Sequence, residues 1–111
     1  IMKYATLYCE GGSSLKVRTA HSFLKRLLGL MGKRKIDGLL LYPCSQVHTY
    51  FMRMPIDVVY LDKTGKVLLC LEALYPNKTG RYVKGSFYVL ELPMGGYKAL
   101  KRPSAFRLEI K

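Results

Sequence analysis

The five residues Asp57 to Leu61, DVVYL, run directly into Asp62-Lys63-Thr64-Gly65, and this junction constrains the chain more than any other stretch. A run that is apolar on both faces belongs inside a sheet, where neither side meets water. Asp at the first position and Gly at the last position of a four-residue turn suit a type I turn. The chain is therefore expected to reverse there, with Lys66 to Leu74 as the partner strand of a hairpin.

The remaining strands are short and separated by turn residues. Lys3 to Cys9 reads as a strand, Gly11 to Ser14 as a turn, and Leu15 to Arg18 as a short return strand. Leu39 to Tyr42 is a brief apolar strand that Pro43 ends. Val47 to Met52 alternates, which puts His48, Tyr50 and Met52 on one face. Phe87 to Leu92 is a further strand, and Pro93 begins a loop or short helical turn. Ala105 to Ile110 ends the series, with Phe106, Leu108 and Ile110 on one side. One helix is expected from Ala20 to Met31, with Thr19 as its N-cap. Phe23, Leu24, Leu27, Leu28 and Met31 fall on a single helical stripe, and Lys33 to Lys35 suit the negative end of its dipole.

About seven strands, one main helix and no βαβ rhythm define the expected fold class. It is mainly β, with antiparallel strands curled into a small barrel or sandwich. The 111 residues suffice for one modest core, so 1–111 is expected to be a single domain. Half of the residues are hydrophobic, which argues against disorder.

No apolar run approaches the roughly 20 residues needed to span a bilayer as a helix. Polar residues return at Glu10 to Ser14, so no signal peptide is visible and a cytoplasmic location is expected. A form with its leader already removed would look the same. Met2 is expected to be the natural first residue. The three cysteines, Cys9, Cys44 and Cys70, form no C-x-x-C pair and are expected as free, mostly buried thiols, with Cys70 in the core. The net charge of +12 favours phosphate or anionic lipid near the surface. Its carriers are scattered along the chain, so the sequence does not say whether they share a face.

Five residues are candidates for a binding site: His48, Met52, Arg53, Asp57 and Glu91. His48 and Asp57 flank the bend at Met52 to Pro55, where folding back would bring them together. Glu91 is an acid between Leu90 and Leu92, so it is either paired, at an edge, or functional. The structural alternatives are an ion pair for Glu91, a turn-holding carboxylate for Asp57, and a hydrogen-bonded histidine for His48. Cys44 and His48 have C-x-x-x-H spacing without a second ligand pair, so no metal and no cofactor is expected. Ser45 and Ser86 lack a nucleophile-elbow context. Gly11-Gly12 and Gly95-Gly96 lack the pattern of a phosphate cradle.

Three blocks carry a family resemblance: RLLGLMGKRKI (Arg26 to Ile36), HTYFMRMPIDVVYLDKTGKV (His48 to Val67) and YVLELPMGG (Tyr88 to Gly96). In this order and spacing they resemble the bacterial and archaeal family called domain of unknown function 192. The resemblance rests on Leu30 and Met31, on Met52, Pro55, Ile56 and Asp57, on Asp62 and Gly65, and on Val89 to Pro93 with Gly95. It implies a compact β-rich fold and no established activity. The segment LKRPSAFRLEI departs from the pattern, because Pro103 and Ser104 stand where many relatives carry glycine and aspartate.

Three functional classes follow. The first is a non-catalytic module that binds a small molecule or a protein, with the five candidates lining its site. The second is a small hydrolase-like enzyme using His48 with Asp57 or Glu91. The third is a nucleic-acid-binding domain, in which Arg81, Tyr82, Lys84, Phe87 and Tyr88, and Tyr97, Lys98, Lys101, Arg102 and Phe106, supply phosphate contacts and stacking. The first is the expectation carried forward.

Overall fold

The computed structural model describes residues 3–20, 38–47, 54–76 and 78–111. Seven strands make one curved sheet. They are β1 (Tyr4–Cys9), β2 (Ser14–Ala20), β3 (Leu39–Leu41), β4 (Ile56–Leu61), β5 (Val67–Leu74), β6 (Tyr88–Pro93) and β7 (Phe106–Ile110). A four-residue helix, α1 (Gly96–Ala99), follows β6. The order across the sheet is β5-β4-β6-β3-β2-β1-β7, and the protein is mainly β, a half-barrel.

The sheet is mixed rather than wholly antiparallel. β2 and β3 run parallel, with Arg18 opposite Leu39 and Ala20 opposite Leu41. Parallel neighbours need a long crossover, and residues 21–37 supply its length. The expected helix from Ala20 falls almost wholly outside the described residues. Its proposed cap does not stand, because Thr19 and Ala20 are the last residues of β2. The expected strand Val47 to Met52 is described only at Val47, which is buried outside any strand.

The hairpin from β4 to β5 forms as the turn chemistry demands. Gly65 N–H donates to the Asp62 carbonyl at 3.0 Å, and Gly65 takes a φ of 93° that favours glycine. Asp62 Oδ1 accepts from Thr64 N at 2.8 Å, Thr64 Oγ1 at 2.6 Å and Lys66 N at 3.0 Å. The same turn draws the sheet's two edges together. Phe106 N–H donates to the Gly65 carbonyl at 2.8 Å, and Val67 N–H donates to Ser104 at 2.9 Å.

Alternation along the strands gives the sheet two faces. The inner face carries Ala5, Leu7, Val17, Leu40, Val59, Leu61, Leu90, Leu92 and Phe106 as one core, capped by Tyr97 of α1. Full burial of each large apolar side chain contributes roughly 1.5–3 kcal/mol. The outer face of β3, β4 and β6 carries a second buried cluster: Leu39, Leu41, Ile56, Val58, Tyr60 and Val89, with Ala20, Cys44 and Val47. β4 is therefore buried along its whole length, in agreement with its two-sided apolar sequence.

Candidate functional site

Two of the five candidates, Asp57 and Glu91, lie among the described residues; His48, Met52 and Arg53 lie outside them. Asp57 and Glu91 sit on neighbouring strands but not on one face. The register sets Asp57 against Leu92 and Val58 against Glu91. Leu92 belongs to the inner core and Val58 to the outer cluster. Asp57 thus points inward and Glu91 outward, with the sheet between them.

Asp57 is fully buried and its carboxylate is saturated by backbone. Oδ1 accepts from Ala73 N at 2.9 Å; Oδ2 accepts from Gly95 N at 3.1 Å and Tyr97 N at 3.0 Å. Two unusual backbones meet there, since Ala73 has a φ of 60° and Gly95 a φ of 86°. The carboxylate pins the irregular end of β5 to the first turn of α1, where a negative charge is favourable. This is the turn-holding role.

Glu91 is buried on the outer face among apolar side chains. Its charge reaches Tyr60, which stands two residues along β4 from Val58 on the same face. Burial pushes the Tyr60 phenol up to about 12; Cys44 and then Glu91 add to the shift, and Arg81 opposes it. Tyr60 Oη donates to the Arg81 carbonyl at 2.6 Å, and Cys44 Sγ donates to the Gln46 carbonyl at 3.2 Å. Cys44 and Glu91 thus each act on the Tyr60 phenol inside an otherwise apolar face.

In sequence, the stretch that carries His48, Met52 and Arg53 lies between Val47 and Ile56, which both belong to this face's buried cluster. Gly80 N–H donates to the Val47 carbonyl at 2.8 Å, and Gln46 Nε2 donates to Gly80 at 3.0 Å. Met54, by contrast, is exposed.

Two surface hollows of about 450 and 510 Å³ open elsewhere, at the α1 end. Leu15, Leu92 and Leu100 line one; Glu10, Lys101 and Ser104 line the other. Neither Asp57 nor Glu91 lines either.

The three cysteines form no disulfide: Cys9 and Cys44 are buried, and Cys70 is half-buried against the inner core. Burial, with Asp57 and Glu72 nearby, pushes the Cys70 thiol up to about 12, so it is a neutral packing group rather than a nucleophile. Of the aromatic residues expected to serve nucleic acid, Tyr97 and Phe106 are buried, and Tyr97 Oη donates to the Pro103 carbonyl at 2.6 Å. Tyr82 is exposed, whereas Phe87 and Tyr88 are half-buried beside Tyr42. The sequence does not single out Tyr60 as a residue close to Glu91. Tyr60 lies inside the run already assigned to a buried strand, so only the register reveals it.

A mainly β half-barrel with this block pattern defines a class of small domain, and comparison with known proteins gives the class its family. Residues 6–108 match the family DUF192, described as "Uncharacterized ACR", and the chain belongs to it. It is 34% identical over 102 residues to a UPF0127 protein of Pyrococcus furiosus, covering 86% of each chain. It is 31% identical over 97 residues to a UPF0127 protein of Thermococcus kodakarensis, covering 78% of this chain and 59% of that one. The fold is similar to the crystal structure of a protein of unknown function from Novosphingobium aromaticivorans. That match has a TM-score of 0.76 at 18% identity, over 97% of this chain and 84% of that one. Among the described residues, no helix is long and apolar enough to cross a membrane.

Proposed function

We propose that the chain is a non-catalytic binding module whose site lies on the outer sheet face at Glu91. His48, Met52 and Arg53 are its further ligand-binding candidates, on the chain between Val47 and Ile56, two residues that pack on this face. Asp57 serves the same site from behind the sheet, by fixing β4 and β5. The observation that carries the reading is the separation of the two acids. General acid–base chemistry requires its groups to reach one substrate. Asp57 faces inward and is occupied by three backbone donors, while Glu91 faces outward. A buried carboxylate in an apolar frame suits recognition of an apolar ligand carrying a hydrogen-bond donor.

A thermal-shift screen of drug-like fragments with N–H or O–H donors tests the reading. The expected hits stabilise the wild type, and Glu91→Gln and His48→Ala keep the fold but lose the shift. Hits that stabilise Glu91→Gln as fully as the wild type would sink the assignment. Turnover of generic ester or phosphoester substrates that disappears in His48→Ala would overturn the non-catalytic reading in favour of the hydrolase.

A further inference from the structure

The outer face of the sheet changes character at β2. On β3, β4 and β6 it is apolar and buried, whereas on β2, β1 and β7, up to Arg18, it is polar and aromatic, with Tyr4, Lys16, Arg107 and Glu109 exposed and Thr6, Tyr8 and Arg18 half-buried. The inward side chains there are Ala5, Leu7 and Cys9 of β1, Val17 of β2 and Phe106 of β7. Alternation sends Tyr4, Thr6 and Tyr8 outward, together with Ser14, Lys16 and Arg18, and with Arg107 and Glu109.

The register arranges these side chains in cross-strand rows. Ser14, Tyr8 and Arg107 form one row; Lys16, Thr6 and Glu109 form the next; Arg18 and Tyr4 form the third. Lys111 continues that third row, its backbone N–H donating to the Tyr4 carbonyl at 3.1 Å. The Arg107 guanidinium lies 4.1 Å from the centre of the Tyr8 ring, and the Lys16 ammonium lies 5.1 Å from the centre of the Tyr4 ring. Glu109 is the one acid on these rows; it pairs with Arg107 at 3.0 Å and accepts from Tyr8 Oη at 3.5 Å. Four cations thus frame two tyrosines against a single carboxylate, in a chain of net charge +12.

We infer that the β2–β1–β7 face binds single-stranded nucleic acid. The tyrosines offer rings for base stacking, and Lys16, Arg18, Arg107 and Lys111 contact phosphates. Stacking needs an exposed base plane, which a duplex hides and a single strand presents. Tyr4 and Tyr8 stand four residues apart on β1, about 13 Å at a rise of roughly 3.3 Å per residue, which an extended strand of a few nucleotides bridges. An anionic membrane fits less well, because these rows present no aliphatic side chain for insertion between lipids. This face lies on different strands from Glu91 and does not depend on the binding site proposed there.

Fluorescence anisotropy with labelled 12-nucleotide oligo-dT and oligo-U, at several salt concentrations, tests the inference on the full chain. A duplex of equal length and phosphatidylserine vesicles serve as competitors. The single strands are expected to bind, with affinity falling as salt rises. Tyr8→Leu should weaken binding about ten-fold, the loss of one stacked base. Tyr8→Phe should hold near the wild type, because the ring remains. Lys16→Gln should lower the salt slope by about 0.7, the share of one phosphate contact on a single strand. Glu109→Gln should tighten binding by removing the acid from the face. Circular dichroism and melting temperature check that each variant is folded, and exposed Lys16 and Glu109 keep the test open if Tyr8→Leu is not. No binding at low salt, tighter binding to duplex or vesicles, or wild-type affinity in Tyr8→Leu would overturn the inference.

Discussion

The carboxylate of Asp57 accepts the backbone N–H of Tyr97 at 3.0 Å, across 40 residues of chain. The same group holds Ala73 and Gly95, so one buried side chain ties β4, β5 and α1 together. Removing it leaves three donors unmatched, two of them in strained or left-handed surroundings. Asp57→Ala is expected to cost about 3–5 kcal/mol, the range for leaving buried, charge-assisted partners unsatisfied. Asp57→Asn should recover only part, because its NH2 group opposes a backbone donor. Urea unfolding of the three proteins measures this; a loss below 1 kcal/mol in Asp57→Ala would show that the backbone there finds other partners.

Gly65 and Gly85 share almost the same φ, 93° and 89°, but not the same surroundings. A Cβ on Gly65 would strike the Phe106 carbonyl and the Leu108 side chain. Among the described residues, a Cβ on Gly85 would meet only Leu68, at 3.9 Å. Gly85→Ala therefore pays for backbone strain alone, roughly 1–2 kcal/mol. Gly65→Ala must also push β7 away from the turn and break the Gly65–Phe106 hydrogen bond. Its melting temperature should fall well below that of Gly85→Ala. Equal melting temperatures would mean that the contact between the turn and β7 contributes nothing to stability.

Much of this hairpin was legible in the sequence, because turn chemistry is local: the Asp62 side chain and the Gly65 N–H act on atoms within four residues. The apolar runs of β4 and β6 were legible for a similar reason, since burial on both faces leaves no polar alternation. The parallel pairing of β2 with β3 was not, because the chain between them leaves no mark on either strand. Asp57 and Glu91 each looked anomalous in apolar strands, and each is buried. Their placement on opposite faces depends on the β4–β6 register, which pairs residues about 30 positions apart. The basic face was not legible, because its cations are scattered along the chain. Its cations Arg107 and Lys111 arrive from the far end of the chain, so only the fold assembles it.

Tyr60 links stability to alkaline pH. Its phenol is buried and donates to the Arg81 carbonyl, and its pKa is pushed up to about 12. The folded state favours the neutral phenol more than the unfolded state does. The resulting stabilisation is complete below the ordinary tyrosine value near 10 and is lost as pH rises from there through about 12. Tyr97 is also buried and its phenol is likewise pushed up by burial, so ultraviolet absorbance at increasing pH should show two tyrosines, Tyr60 and Tyr97, ionising late. Tyr60→Phe should reduce the late-ionising tyrosines by one and lower stability at neutral pH by about 1–3 kcal/mol, because the Arg81 carbonyl loses its donor. An unchanged number of late-ionising tyrosines in Tyr60→Phe would assign the step to another residue.

Glu10 provides the corresponding test in acid. Its Oε1 accepts from Ser104 Oγ at 2.7 Å and from Ser104 N at 2.9 Å, joining the β1–β2 turn to the segment before β7. The Ser104 hydroxyl, and then its N–H, hold the Glu10 carboxyl below its ordinary value. The folded state therefore favours the ionised acid. Its contribution to stability is present above the ordinary carboxylate range and fades as pH falls through the lowered value. A carboxyl-detected NMR titration should place the Glu10 midpoint below that of an unstructured glutamate. Ser104→Ala removes the hydroxyl but leaves the backbone N–H, so the midpoint should rise only part of the way. Ser104→Ala should also show a smaller loss of stability than the wild type between neutral pH and pH below the usual carboxylate range. An unchanged Glu10 midpoint in Ser104→Ala would show that this contact is too solvated to couple proton binding to folding.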